Sequence, residues 1–365
     1  MPWVLERSDL DHYATGVALL SSGGGGRLAG SVRSAAARVD LPVTVYAADE
    51  LDASTPCMAV GHGGSTVLQT ERLPSPEPFA RAIAAVQRWT GQRIDAVCPV
   101  EIGGANGLAA LHLGARYRTV DADLMGRALP WVDQFSVLAE ELPGLVLATA
   151  TGGEGVVVHA DPRPADAERV LRAAFMSAGG WSGVVVAGFT VGDLRRHAIL
   201  GSMGRALEVG RAWASAVEPG ERAVAAGGEL LGEGRIEDHA PADDHDVHSF
   251  ALIRRDGAVV RVVAASEFLC VLVDGEVVAA TPHIVDVVDV LTGEVLQADE
   301  VAVGRQVAVV ALPGPQWWTA TPERAARVGL ARYGLDDLDD PNDIGALGLV
   351  DLDDPPDLVG RGPRA

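Results

Sequence analysis

Three carboxylates, an amide and a guanidinium fall within one short stretch of this chain. Glu101 opens the run Glu101-Ile-Gly-Gly-Ala-Asn-Gly107, and Asp121, Asp123 and Arg127 follow in Val120-Asp-Ala-Asp-Leu-Met-Gly-Arg-Ala-Leu-Pro130. Carboxylates this close repel one another unless a cation, a shared proton or a guanidinium relieves them, and such a set suits acid/base work or a divalent metal ion. Asn106 can read the N–H and C=O edge of a ring. Arg127 can grip a carboxylate or an oxyanion, or pair with Asp121 or Asp123 as scaffold. The elements that must position these groups are legible around them. An apolar run over 94–100 precedes Glu101, residues 107–116 read as a helix, and a second apolar run ends at Val120. Two parallel strands joined by a right-handed crossover would bring Glu101, Asp121 and Asp123 to the same carboxyl edge, where open α/β sheets bind ligands.

The pattern Glu-x-Gly-Gly-x-Asn followed by Asp-x-Asp-x-Met-Gly-Arg-Ala-x-Pro resembles the S-methyl thiohydantoin desulfurase family, often encoded beside hydantoinase or oxoprolinase-type proteins. The likeness extends to Gly23-Gly-Gly-Gly26, Gly204-Arg-Ala206, Ser266-Glu267 and Pro282-His-Ile-Val285, and so spans roughly residues 5–335. It implies a three-layer α/β domain joined to a β-barrel-like domain. It also implies a hydrolase that attacks the sulfur-bearing carbon of a five-membered ring, releases thiol and leaves a hydantoin. Glu101, Asp121 and Asp123 are then the candidate catalytic groups, with water activated directly or through a divalent metal ion held by these carboxylates and His283. Gly24, Gly25, Gly103, Gly104, Asn106, Arg127, Glu267 and His283 are the candidate substrate-binding set. Two positions depart from the family pattern, Ser266 standing for Asn and His283 for Asp. The second exchanges an anion for an imidazole that can donate, accept or bind metal. Two other readings keep the fold: hydrolysis of a hydantoin or oxoproline-type cyclic amide, alone or with a hydantoinase/oxoprolinase-type partner protein, and a non-catalytic subunit that binds a ring-shaped ligand.

The chain has 365 residues, 48% of them hydrophobic and 22% charged, enough for a large core and too long for one typical domain. Its net charge of -21 owes nine negative charges to Asp336, Asp337, Asp339, Asp340, Asp343, Asp351, Asp353, Asp354 and Asp357. An acidic balance opposes binding to nucleic acid or anionic lipid, which requires Lys and Arg. Cys57, Cys98 and Cys270 lack disulfide or zinc spacing, and Cys98 reads as core. With no apolar targeting or membrane-spanning run, the expectation is a soluble cytoplasmic protein acting on a small cyclic substrate. The apolar composition and the Trp317-Trp318 pair add a homo-oligomer to that expectation.

Along the chain, 9–20, 27–39, a stretch ending near Gly91, 165–178 and 191–217 read as helices. Strands are expected at 41–47, 58–60, 145–150, 156–159 and 183–189, the pair at 145–159 forming a hairpin or edge strands. A boundary is placed near 161–164, giving an N-terminal domain over 1–163, a C-terminal domain over 164–334 and an acidic disordered tail over 335–365. From residue 228 the chain is Val-rich and punctuated by Asp256-Gly257, Asp274-Gly275 and Thr292-Gly293, which are hairpin turns of a small barrel or sandwich. His239, Asp243, Asp244, His245, Asp246 and His248 read as a solvated connection rather than a metal site. His62, between glycines, is a minor candidate for the site.

Overall fold

The computed structural model describes residues 1–26, 39–70, 77–242, 247–335 and 338. The helix expected from residue 27, the acidic loop 243–246 and nearly all of the tail lie outside the described residues.

The first half builds β1 (Trp3–Leu5), β2 (Val43–Tyr46), β3 (Pro56–Gly64), β4 (Ala96–Pro99), β5 (Arg118–Val120), β6 (Ala122–Asp123), β7 (Val146–Ala150), β8 (Val156–Ala160), β9 (Trp181–Thr190) and β10 (Ile199–Leu200). Eight of these form one mixed sheet in the order β1-β2-β5-β4-β3-β9-β7-β8, while β6 pairs with β10. Alternation along β3 sends its side chains to opposite faces. Met58 and Val60 join Phe79, Ile83 and Val86 beside the helix Ala80–Thr90. Cys57 and Ala59 meet Ala167, Leu171 and Phe175 of the helix Pro164–Ser177 on the other face. The result is the expected three-layer α/β arrangement. The expected pair of parallel strands is β4 and β5, with Ala96 opposite Arg118, although 3-10 turns at Gly104–Leu108 and Ala110–Leu113 replace the helix expected between them. The sheet continues past residues 161–164, because β9 lies at its middle, antiparallel to both β3 and β7.

The continuous helix expected over 191–217 is a misreading. The chain forms Val191–His197, then β10, then Ser202–Ala214. Ala198 is extended and Gly201 takes a φ of 72°, so the helical run is interrupted where β10 pairs with β6. Periodicity missed this because both pieces keep an apolar stripe.

The second half forms β11 (Glu229–Ala240), β12 (His248–Ile253), β13 (Val259–Ala264), β14 (Phe268–Val273), β15 (Glu276–Ala280), β16 (Ile284–Asp289) and β17 (Gln306–Leu312), ordered β15-β14-β13-β12-β11-β17-β16. Every neighbouring pair is antiparallel. Asp274 and Gly275 both take positive φ, of 50° and 88°, as the two-residue hairpin turn requires. The sheet curls until β16 packs against β14, giving a half-barrel. Its concave core gathers Phe250, Val262, Phe268, Val285 and Val309.

The two halves meet through the helices Leu10–Leu19 and Ser202–Ala214, which bury Val17, Met203 and Leu207 with Ile284, Val288 and Val310 of the second sheet. Glycine permits their close approach. A Cβ on Gly16 would lie 1.7 Å from Ala206 O, and one on Gly210 would lie 1.8 Å from His12 O. Gly16→Ala must separate the helices, an overpacking penalty of roughly 1–3 kcal/mol or more. Gly153→Ala, which meets nothing within 4 Å, is the control. Urea unfolding should show a clear loss for the first and almost none for the second, and equal midpoints would contradict this packing.

Candidate active site

Glu101 leaves the carboxyl end of β4 and turns into the protein, where it is 7% exposed. Asn106 Nδ2 donates to Glu101 Oε1 at 2.7 Å, and the Leu129 N–H donates to Oε2 at 3.3 Å. Burial outweighs both donors, and with the nearby Glu267 and Asp123 it pushes the Glu101 pKa up to about 8. At neutral pH this carboxyl therefore holds its proton. Asn106 is fully engaged as a donor: it also donates to His62 O at 3.0 Å, while its Oδ1 accepts the His62 N–H at 2.7 Å. One amide thus ties the glycine-rich end of β3 to the acidic side chain.

Glu101 and Asn106 open onto a cavity of about 90 Å³, lined also by His62, Met125, Trp131, Phe135 and Phe175. That is far below the roughly 300–1,000 Å³ of pockets for drug-sized ligands, so the cavity suits a very small ring. His62 stacks on Trp181 with ring centroids 5.2 Å apart. Its Nδ1 is buried without a hydrogen-bond partner, and burial lowers its pKa to about 4, which keeps the imidazole neutral.

Asp121 and Asp123 share the sheet edge with Glu101 but face other work. Asp121 accepts from Trp3 Nε1 at 3.0 Å and from the Met203 and Gly204 N–H groups at 2.8 and 3.1 Å, so it caps the helix Ser202–Ala214. Asp123 Oδ2 accepts from the N–H groups of Ile102, Met125 and Gly126 at 2.9, 3.1 and 2.6 Å. Burial raises its pKa to about 6 against these donors and the adjacent Ser202 hydroxyl. Its Oδ1 makes no hydrogen bond. Neither aspartate lines the cavity.

Arg127, 1% exposed, holds the two halves together, and among the described residues its hydrogen bonds go to backbone carbonyls and Thr281 rather than to Asp121 or Asp123. Its Nη1 donates to His283 O at 2.6 Å and its Nε to Ala128 O at 3.0 Å. Glu267, Asp286, Glu101 and Tyr333 surround it and favour its charge, while burial opposes it. Glu267 accepts from Ser266 Oγ at 2.7 Å, and burial raises its pKa. Asp286 is wholly buried with no hydrogen bond to either oxygen, and its pKa is raised strongly by burial.

Residues 8–161 match the S-Me-THD-like N-terminal domain, and residues 162–341 match the S-Me-THD-like C-terminal domain. The chain belongs to the S-Me-THD-like family. This is the S-methyl thiohydantoin desulfurase family that its motifs resemble, and membership points to a thiohydantoin-related function. A protein from Chromobacterium violaceum, known from an X-ray crystal structure, shares the fold with a TM-score of 0.74. The two are 22% identical over 92% of this chain and 98% of that one. No curated protein matches the chain.

The family motifs therefore divide by place. Glu101 and Asn106 line the cavity, Arg127 and Glu267 lie behind them at the junction of the halves, and Asp121 and Asp123 brace the loops. The His283 ring is exposed and accepts the Gly314 N–H at Nδ1 over 3.3 Å, so only its carbonyl reaches Arg127. These placements keep Glu101, Asp121, Asp123 and His283 from converging, and among the described residues no three His, Cys, Asp or Glu side chains are arranged to hold a metal ion. The glycines mark close approach: a Cβ on Gly24 would meet Glu267 Cγ at 2.5 Å, one on Gly103 would meet Ala128 N at 2.5 Å, and one on Gly104 would meet Gly25 O at 2.5 Å. Trp318, counted toward self-association, is buried and donates to Met125 O at 2.7 Å. Sequence reasoning missed Asp286 and Tyr333 and underrated His62. An Asp inside Val285-Asp-Val287 was the available signal for the first. For His62 the signal was its place at the glycine-rich end of a strand beside Glu101.

A raised carboxyl ties stability to pH. Folded Glu101 keeps the proton that the unfolded chain releases above about pH 4.5, so its stabilising contribution is greatest below that value and falls as pH rises to about 8, by about 1.4 kcal/mol per pH unit. Glu101→Gln keeps a neutral group and removes the titration. Urea unfolding should show the variant gaining on the wild type between about pH 5 and about 8, and parallel curves would contradict a raised Glu101.

Proposed function

We propose that this protein hydrolyses an S-methyl thiohydantoin, or a closely related five-membered cyclic imide, to methanethiol and a hydantoin. The observation that carries this reading is the protonated Glu101 carboxyl facing a ring-sized cavity beside neutral His62. Membership of the S-Me-THD-like family supports the ring chemistry.

The sulfur-bearing ring carbon is an imidate-like centre, doubly bonded to nitrogen. Glu101 gives its proton to that nitrogen, which makes the carbon electrophilic. Water attacks, a C–O bond forms, and the proton released returns to the Glu101 carboxylate. The tetrahedral intermediate then collapses: the C–S bond breaks with its electron pair going to sulfur, Glu101 protonates the leaving thiolate, and the hydroxyl proton passes back to Glu101 as the ring carbonyl forms. One water is consumed and the carboxyl is regenerated. A group with a pKa near the working pH performs such two-way transfer best. Asn106 positions Glu101 through its 2.7 Å hydrogen bond, and the unbonded His62 Nδ1 supplies a polar contact for the ring edge. Arg127 and Glu267 hold the second half against this wall.

Incubation of purified protein with an S-methyl thiohydantoin should release free thiol, detectable colorimetrically. Glu101→Gln should lower kcat by about 10²-fold or more without loss of fold, and kcat/KM of the wild type should fall as pH rises above about 8. No thiol from the folded protein would sink the proposal, and a ring-opened acid in its place would assign cyclic-amide hydrolysis instead.

A further inference from the structure

We propose that His239 and His248 form a binding site for a late first-row divalent metal ion, separate from the cavity at Glu101, with solvent completing the coordination. His239 lies near the end of β11 and His248 opens β12, and their Nε2 and Nδ1 atoms are 3.1 Å apart. With metal–nitrogen bonds of about 2.0–2.1 Å, nitrogens 3.1 Å apart subtend about 98° at a shared ion. That angle lies between the cis angle of a square plane and a tetrahedral angle, and so fits copper, nickel or zinc.

The strand register builds this pair. A register shift between Ile236 and Asp238 places His239 opposite Phe250, which makes it the diagonal neighbour of His248 across the strand pair. Without an ion, the two imidazoles share a single hydrogen bond. An ion replaces that bond with two dative bonds and fastens β11 to β12. Imidazole pairs follow the order Cu²⁺ above Ni²⁺ and Zn²⁺.

The test uses the tag-free full chain after chelator treatment and buffer exchange, titrated calorimetrically with CuCl₂ and ZnCl₂, with electron paramagnetic resonance of the copper form. The wild type should bind one ion per chain with two nitrogen ligands visible in the copper spectrum. His239→Ala and His248→Ala should each weaken binding by at least about tenfold, and circular dichroism checks that each is folded. His248→Gln repeats the test at the half-buried position with less loss of volume. No binding by the wild type, or equal binding by the wild type and the folded variants, overturns the site.

Discussion

Backbone packed directly on backbone, where Gly25 meets Gly104, is the constraint on which the geometry of the site depends. The contact is sealed by the Ala105 N–H donating to Gly25 O at 3.0 Å. Just before it, the Ser22 hydroxyl donates to Val285 O at 2.9 Å and accepts the Val285 N–H at 3.0 Å, while the Phe268 N–H donates to Ser22 O at 2.7 Å. The Ala298 N–H then donates to Gly23 O at 2.9 Å. A single loop therefore satisfies polar groups on β14, β16 and the Glu101 loop at once. Side chains at Gly24 or Gly25 would push these partners apart, and the buried donors and acceptors between them would lose their bonds at a cost of about 1–3 kcal/mol each.

Once the halves are fixed in this way, electrostatics at their junction is largely determined. Glu101, Glu267 and Asp286 are all buried near one guanidinium, that of Arg127, and Asp123 is buried beside Glu101. A single cation in a medium of low dielectric does not offset three carboxylates, and desolvation is the leading cause of the raised pKa for all four acids. The outcome differs by local hydrogen bonding. Asp123, with three backbone donors, rises to about 6, whereas Glu101, with one amide and one longer N–H contact, rises to about 8. Asp286 has no donor at all and rises strongly. The same burial that costs stability leaves a proton available at the cavity wall.

Much of this was legible in the residues. The Glu-x-Gly-Gly-x-Asn and Asp-x-Asp-x-Met-Gly-Arg motifs marked the right loops, and the parallel β4 and β5 followed from two apolar runs with a short crossover. The Asp-Gly turns announced the second sheet. What escaped was long-range. Asp121 and Asp123 resemble Glu101 in type and position along the chain, yet the helix Ser202–Ala214 and the Glu101 loop claim their oxygens. The break at Ala198–Gly201 was hidden because β10 exists only through its pairing with β6. His283 lies in a family motif, but its exposed ring leaves only the backbone to serve Arg127.

The sequence by itself determined most of the element types, the family and the short list of acidic residues, because these rest on local spacing: two-residue alternation, glycine where φ is positive, carboxylates after strands. Tertiary structure alone decided which carboxylate faces the cavity with its proton held. That choice turns on burial and on the count of N–H donors reaching each oxygen, and those donors come from Asn106, Leu129, Met203, Gly204 and Ile102, whose approach is fixed only when the chain is packed.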